Sequence, residues 1–360
     1  MYKTSSSSFF LGANTPIGFY SLFNELYEPE NDWRLYIIKG GPGTGKSTLM
    51  KKIAAECHKR GHYTERIYCS SDPNSLDGVI IPSLKISIAD GTSPHTLEPR
   101  FPGVSEKIVD LGMFRNDRLL RENSKEIIEK TKNNSFQHKK CIEFLSAAKS
   151  VENDISSIVI SSMKIERLHK FSEKLASSRL KSSSDGMGKV KKRFLSALTP
   201  EGLVLFRDTF SELCDEITVL LDPFGYASSV IIRILTMKAC EQGFSPIVCY
   251  CPTSPEHRPE HLIIPELSMG FFTSKSWHPE DFGEVSHVDC MRFFDKEALM
   301  KHKNRLAFNK RSRDELLTEA VNRLSRAKKI HDELEGYYIE SMDFDKARQY
   351  SEELIRDIFE

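Results

Sequence analysis

Residues 34–52 read RLYIIKGGPGTGKSTLMKK, and this stretch decides the fold prediction. The apolar run at residues 35–38 predicts a buried strand. Four glycines follow within residues 40–45 and predict a tight turn, because glycine adopts positive φ without steric cost. Leu49 and Ile53 then fall at helical spacing. The stretch therefore predicts a strand, a glycine-rich turn and a helix in direct succession.

The spacing of the turn residues indicates an anion site. Gly40, four further residues and then Gly45-Lys46-Ser47 match the pattern of a phosphate-binding loop between a strand and a helix. In such a loop, backbone N–H groups and the positive end of the helix dipole face a polyphosphate. We expect Lys46 to be the catalytic cation that bridges the β- and γ-phosphates, and the Ser47 hydroxyl to ligate Mg²⁺. The residues expected to bind a nucleoside triphosphate are Gly41, Pro42, Gly43, Thr44, Gly45, Lys46, Ser47 and Thr48.

Composition bounds the class of protein. At 360 residues, two domains are expected, and 51 basic residues balance 51 acidic ones. We therefore expect neither a nucleic-acid nor a membrane partner. The N-terminal residues show no apolar segment with a cleavage site, so no secretory signal is predicted. The eight cysteines follow no disulfide spacing, which favours free thiols and a cytoplasmic protein.

An internal repeat organises the rest of the chain. Residues 10–18 reappear as residues 194–202, and residues 80–84 reappear as residues 263–267. Each offset is about 180 residues, half the chain. The sequence therefore predicts two tandem copies of one unit.

The first unit reads as alternating strands and helices. Residues 9–13 predict a short strand, and Thr15-Pro16 predicts a helix start, with the Thr15 hydroxyl as cap and the helix running to about Tyr27. Further strands are predicted over residues 64–69, 84–89 and 107–111. This alternation favours a mainly parallel α/β sheet.

A helical pattern follows each core and sets the domain layout. Apolar residues recur at three-to-four spacing beyond Arg115 and again beyond Lys296. We expect each arm to pack against its own chain. The predicted layout is a core at 1–115, a helical appendage at 116–180, a solvated linker at 181–192, a second core at 193–295 and a second appendage at 296–360.

The second unit lacks the phosphate-binding residues. In an ungapped alignment, Asp222 replaces Gly40, and Ser228 replaces Lys46. An aspartate would repel phosphate, and without the lysine the phosphate charge is uncompensated. The second core is therefore expected to be degenerate for nucleotide binding while keeping its fold.

The repeat also sorts the candidate acidic residues. Asp90 ends an apolar strand and is our candidate for the catalytic carboxylate that organises Mg²⁺, with Asp72 as the competing candidate. Neither has an acidic twin in the second unit. Asp110 and His95 do have twins, Asp289 and His278, and we therefore expect packing or capping roles for them. Asp77 is intermediate, because the carboxylate of Glu260 stands at its twin position.

At this point the chain resembles a P-loop NTPase, and more narrowly a bacterial family of tandem-duplicated P-loop proteins described as ATP-binding proteins or putative ATPases. The resemblance covers nearly the whole chain and rests on residues 15–19 (TPIGF), 40–48 (GGPGTGKST), 69–73 (CSSDP) and 90–95 (DGTSPH). It implies ATP and Mg²⁺ at Gly43, Gly45, Lys46, Ser47 and Thr48. It also implies two tandem P-loop NTPase-like parallel-sheet cores, each followed by a helical appendage.

The sequence is compatible with three alternative functions. The leading one is a Mg²⁺-dependent ATPase in which the degenerate second domain is an internal partner and nucleotide repositions the helical arms. An ATPase often uses an arginine from across an interface, and Arg258 and Arg292 are candidates. The alternatives are a small-molecule or nucleotide kinase and a nucleotide-gated binding module with negligible turnover. The sequence does not identify an acceptor or client.

Overall fold

The computed structural model describes residues 6–181, 186–279 and 281–360. The first five residues, considered above for a secretory signal, and residues 182–185 of the predicted linker lie outside the described residues. Within the described ranges, no helix combines the length and the apolar character needed to cross a bilayer.

The first unit is a six-stranded sheet followed by a helical arm. Its elements are β1 (Ser6–Phe10), β2 (Gly12–Thr15), β3 (Gly18–Ser21), β4 (Arg34–Lys39), α1 (Lys46–Lys59), β5 (Thr64–Tyr68), β6 (Leu76–Ile81), β7 (Ile86–Asp90), β8 (Glu106–Asp110), α2 (Asp117–Glu122), α3 (Ser124–Ser161) and α4 (Ile165–Arg179). The sheet order is β1-β5-β6-β7-β4-β8. All neighbouring strands run parallel except β6, which is antiparallel to both β5 and β7.

The second unit repeats this arrangement. Its elements are β9 (Lys191–Arg193), β10 (Ser196–Thr199), β11 (Gly202–Leu205), α5 (Asp208–Leu213), β12 (Glu216–Leu221), α6 (Tyr226–Glu241), β13 (Ile247–Tyr250), β14 (Pro259–Ile264), β15 (Met269–Ser274), β16 (Ser286–Asp289), α7 (Lys296–Lys301), α8 (Lys303–Ser341) and α9 (Phe344–Phe359). The sheet order is β9-β13-β14-β15-β12-β16, with β14 as the antiparallel strand. The same order in both units is what two copies of one unit require.

Most predicted elements are confirmed, and two predictions are wrong. The strands before and after the glycine-rich turn, its helix and the helical arms all form. The sheets, however, are mixed rather than parallel, because the unpredicted strand β6 pairs between β5 and β7. The Thr15-Pro16 segment is also not a helix start: it is the turn of the β2–β3 hairpin. Thr15 Oγ1 donates to the Gly18 carbonyl at 2.7 Å, and Gly18 takes a φ of +112° that suits glycine.

The helical arms cross between the units. The long helices α3 and α8 pack antiparallel: Lys130 pairs with Glu333 near one end, and Asp154 pairs with Arg305 near the other. Beyond them, α4 packs on the second core, and α9 packs on the first. Each core is therefore completed by the arm of the other unit.

The two cores also share a hydrophobic interior. Phe10 and Phe194 exchange two backbone hydrogen bonds of 2.9 Å and are fully buried. Arg193 lies 2.9 Å from Glu65 of the first unit, and both are buried. The predicted solvated linker ends at residue 192, and the next residue, Arg193, makes this buried ion pair between the units.

Candidate functional site

We call residues 40–45 the glycine loop; it connects β4 to α1. Gly43 and Gly45 take φ values of +67° and +92°, which place the chain in the left-handed region that favours glycine. Gly45 immediately precedes α1, and among the described residues no side chain caps this helix. The first-turn N–H groups of α1 therefore keep the partial positive charge that attracts anions.

Lys46 and Asp90 come together at the carboxyl ends of two adjacent strands. Asp90 ends β7, which pairs with β4 so that Ile38 lies opposite Asp90. Lys46 Nζ donates to the carbonyls of Gly40 at 3.2 Å and Gly41 at 2.8 Å, and it lies 3.5 Å from Asp90 Oδ2. The other carboxylate oxygen of Asp90 accepts hydrogen bonds from Thr92 N and Oγ1. The predicted cation and the predicted carboxylate thus form one site.

The other predicted nucleotide and Mg²⁺ ligands lie on the same loop and helix. Ser47 Oγ accepts a hydrogen bond from Leu76 N at 3.0 Å, which leaves its proton unused in that bond. Thr48 is exposed on the first turn of α1, and Thr44 is buried, with its hydroxyl donating to the Gly41 carbonyl. Asp72 accepts from Asn74 N and Ser75 Oγ within its own loop. Asp72 therefore has local partners of its own.

The two candidate arginines of the second unit have structural partners on the helical arm of the first unit. Arg258 is buried and donates to Glu152 at 3.0 Å. The guanidinium of Arg292 lies 5.3 Å from the ring centroid of Phe171. These contacts give both arginines packing roles.

The C-terminal end of α8 lies against the glycine loop. A Cβ placed on Gly41 would approach a ring carbon of Tyr338 to 2.6 Å, and one placed on Gly43 would approach Cγ1 of Ile339 to 2.8 Å. Glycine is therefore required here for contact with the second unit's arm. The motif gives no signal of this contact, which joins residues almost 300 positions apart.

Charged side chains of α8 also face the site. His331 lies 3.5 Å from Glu335 and lowers the pKa of that carboxyl, and the N–H of Gly43 adds to this effect. Lys328 Nζ lies 3.8 Å from Asp72 Oδ2. A carboxylate close to Gly43 N–H occupies the kind of position that a phosphate oxygen takes in a phosphate-binding loop.

A buried cluster lies beside Asp90. Ligand atoms of Asp77, Asp90 and His95 all fall within 4.8 Å of one another, and the three residues are buried. Burial raises the pKa of Asp77 to about 6, although His95 opposes the shift. The Asp110 side chain accepts a hydrogen bond from Gly112 N and so caps the following turn, which is the capping role predicted for it. His95 was expected to be a satisfied packing residue. It stacks on Phe23, but neither ring nitrogen has a hydrogen-bond partner among the described residues.

The second loop, residues 222–225, is two residues shorter than the glycine loop. Each loop begins directly after its strand and ends at a glycine of positive φ just before its helix. Tyr226 therefore stands where Lys46 stands, and the ungapped pairing of Lys46 with Ser228 is wrong. The lysine is still missing. Asp222 is fully buried, and its carboxylate accepts from Phe224 N at 3.2 Å and Ser228 N at 2.8 Å. An internal carboxylate thus holds the N–H groups that an anion would need.

The second unit also contains its own cation beside the equivalent acidic residue. The ammonium of Lys275 pairs with Glu260, the twin of Asp77, and both side chains are buried. The first unit has Thr92 at the position of Lys275. In the second unit, the carboxylates of Asp222 and Glu260 therefore both have partners within that unit. In the first unit, no lysine stands at the position of Lys275.

Comparison with known proteins adds no assignment: no protein-family model, curated protein or solved structure matches this chain.

Proposed function

We propose that the first unit binds ATP and Mg²⁺ at the glycine loop and hydrolyses the nucleotide, and that binding displaces α8 from the loop. The observation that carries this proposal is the position of Lys46, between two loop carbonyls and Asp90 in front of an uncapped helix. The proposal includes a P-loop NTPase-like fold for both cores. It also places the protein in the cytoplasm, in keeping with its eight free thiols.

The chemistry of the loop favours a triphosphate over a smaller anion. The first-turn N–H groups of α1 and the N–H of Gly43 can cradle phosphate oxygens. Lys46 now donates to carbonyls that it can exchange for β- and γ-phosphate oxygens, because its flexible stem carries a compact charge. The residues proposed to bind ATP are Gly41, Pro42, Gly43, Thr44, Gly45, Lys46, Ser47 and Thr48.

The donor set beside the loop fits Mg²⁺. Ser47 provides a hydroxyl oxygen and Asp90 a carboxylate, and oxygen ligands of this kind suit Mg²⁺ together with phosphate and water. When bound, Mg²⁺ neutralises the phosphate charge. Asp90 also faces Lys46, so the same carboxylate orients the ammonium.

The second unit acts in this proposal as an internal partner. Its own loop is closed by Asp222, and its arm supplies Glu335, Tyr338 and Ile339 to the glycine loop. A nucleotide in the first unit competes with these groups for the same loop. Nucleotide binding is thereby coupled to the position of α8, a helix of 39 residues.

The same contact favours a second candidate function. If phosphate binding only releases α8, the chain is a nucleotide-gated binding module with negligible turnover, and the released arm is its working surface. Catalysis of hydrolysis needs in addition a group that orients water.

The test compares Lys46→Ala with Tyr226→Phe, the substitution at the equivalent position of the second loop. Titration with a fluorescent ATP analogue should show Lys46→Ala binding about 30- to 150-fold more weakly, since a charged hydrogen bond contributes about 2–3 kcal/mol. Tyr226→Phe should bind like the wild type. Equal losses in both variants would contradict the assignment of one competent and one degenerate loop.

A phosphate-release assay on the wild type separates the functions. Mg²⁺-dependent release without an added acceptor supports an ATPase. Tight binding without release supports the gated module. Transfer only to an added acceptor supports a kinase and contradicts both proposals.

A further inference from the structure

The buried cluster of Asp77, Asp90 and His95 lies beside the proposed nucleotide site. We propose that it binds a divalent transition-metal ion through two carboxylate oxygens and one imidazole nitrogen. This ion is a second ion beside the nucleotide-bound Mg²⁺; it shares the Asp90 carboxylate with that Mg²⁺ and does not require nucleotide. Its proposed role is to supply the positive charge that the second unit obtains from Lys275.

The geometry places the three ligands around one point. Their ligand atoms lie within 4.8 Å of one another, so small side-chain rotations bring them to the roughly 2.0–2.2 Å that a bound ion requires. The elements that carry them are fixed: Asp77 lies on β6, Asp90 ends β7, and the His95 ring stacks on Phe23 with centroids 4.4 Å apart. The site is thus built on adjacent strands of one sheet.

The unoccupied bonding capacity of His95 points to a ligand. His95 is 6% exposed, and neither Nδ1 nor Nε2 has a hydrogen-bond partner among the described residues. Its Nε2 lies 3.8 Å from Asp77 Oδ1, which is too far for a hydrogen bond. A buried imidazole without a partner is costly, and coordination of a metal ion removes that cost.

The charges of the cluster also need a cation. Asp77 and Asp90 are both buried, and of these two carboxylates only Asp90 lies within ion-pair distance of Lys46 among the described residues. A divalent ion between the two carboxylates would neutralise both.

The second unit provides an internal comparison. There, ligand atoms of Glu260, His261 and His278 also lie within 4.8 Å of one another, with Glu260 and His278 at the positions of Asp77 and His95, and the ring nitrogens of His278 also lack hydrogen-bond partners among the described residues. The ammonium of Lys275 nevertheless pairs with Glu260. The position of that lysine is Thr92 in the first unit, so the first cluster is the one that still needs a cation. One bound ion per chain is expected, not two.

The ligand types favour a transition metal over Mg²⁺. Mg²⁺ binds oxygen ligands and usually retains several waters, whereas an imidazole nitrogen suits ions such as Co²⁺ and Zn²⁺. A mixed set of one nitrogen and two carboxylate oxygens in a buried site therefore discriminates against Mg²⁺.

The experiment uses the full chain, freed of transition metals and nucleotide. It titrates this protein with Co²⁺ in buffer that contains excess Mg²⁺ and no nucleotide. Visible absorption and calorimetry should show one Co²⁺ per chain with a nitrogen ligand. His95→Phe keeps an aromatic ring against Phe23 but removes both nitrogens, and it should weaken Co²⁺ binding at least about 100-fold. His278→Phe, the matched control in the second unit, should leave binding unchanged.

A second variant tests the charge comparison without removing a ligand. Thr92→Lys places in the first unit the ammonium that the second unit already has, and it should weaken Co²⁺ binding at least about tenfold more than Thr92→Val, which also removes the Thr92 hydroxyl from Asp90 but adds no charge. Because the Co²⁺ titration contains no nucleotide, failure of the metal site stays distinguishable from failure of the nucleotide proposal, which the ATP-analogue titration tests separately. The inference is overturned if the wild type binds no Co²⁺ or binds two ions per chain. It is also overturned if His95→Phe and His278→Phe weaken Co²⁺ binding equally.

Discussion

Under the proposed function, the contact between α8 and the glycine loop would make nucleotide affinity depend on a residue that binds no part of the nucleotide. Ile339 packs against Gly43, and the phosphates of ATP would need the same loop. If ATP binds only when α8 is displaced, the apparent affinity is the intrinsic affinity multiplied by the displaced fraction. Ile339→Ala weakens docking and should therefore increase ATP affinity.

The magnitude follows from the burial of Ile339. The substitution removes three carbons, each contributing about 0.8 kcal/mol when fully buried. Ile339 is 46% exposed, so roughly half of this contribution is present. Docking should weaken by about 1.2 kcal/mol, which corresponds to about eightfold tighter apparent binding while the docked state predominates.

The assay is a titration of the wild type and Ile339→Ala with a fluorescent ATP analogue and Mg²⁺. Ile160, the twin of Ile339 on α3, is 54% exposed, and Ile160→Ala is the matched control. It should leave affinity unchanged. Weaker binding by Ile339→Ala would mean that α8 assists the nucleotide as a lid, and equal changes in both variants would indicate a general loss of stability. Either result would refute competition for the loop.

Two further predictions concern charged residues. Asp90→Asn should abolish Mg²⁺-dependent phosphate release while changing ATP-analogue affinity by less than about tenfold, because Lys46 and the loop N–H groups remain; unchanged release would transfer the role to Asp72. Glu152 is buried 3.0 Å from Arg258 and 2.9 Å from Arg313, and Glu152→Gln should lower the free energy of unfolding by about 3 kcal/mol at pH 7, as measured by urea titration. Burial alone would raise the pKa of Glu152, but the two arginines outweigh it and hold the pKa below its usual value. Its contribution is therefore fully present above the unfolded pKa of about 4.3 and is lost as pH falls through the lower folded pKa, so the difference between wild type and variant should shrink below about pH 4. A difference that grows on acidification would contradict this sign.

Local signals in the sequence were sufficient for the glycine loop and its neighbours. The apolar run before Gly40 and the helical spacing after Lys46 lie within a few residues of the motif, so β4 and α1 could be predicted. Asp90 could be placed because it ends an apolar strand. These predictions needed no knowledge of distant residues.

The features that could not be predicted depend on contacts with residues far away in the sequence. Strand β6 has all six residues buried between two neighbours, but it contains Asp77-Gly78, a pair of residues that is typical of turns. The Thr15-Pro16 segment satisfies turn and helix-start preferences alike, and the hairpin partner decides between them. The gap in the second loop becomes visible only when Gly225 is seen at the helix start. The docking of Tyr338 and Ile339 is set by tertiary packing.

The crossing of the arms has a consequence for how the two halves of the chain depend on each other. If two identical halves were cut apart, each would expose the core surface that α4 or α9 now covers, and each could cover it only by pairing with a second copy. The arrangement resembles that of a homodimer with exchanged C-terminal helices, except that both halves lie on one polypeptide. Within one polypeptide, the second half can lack the loop lysine while its arm still contacts the glycine loop of the first half.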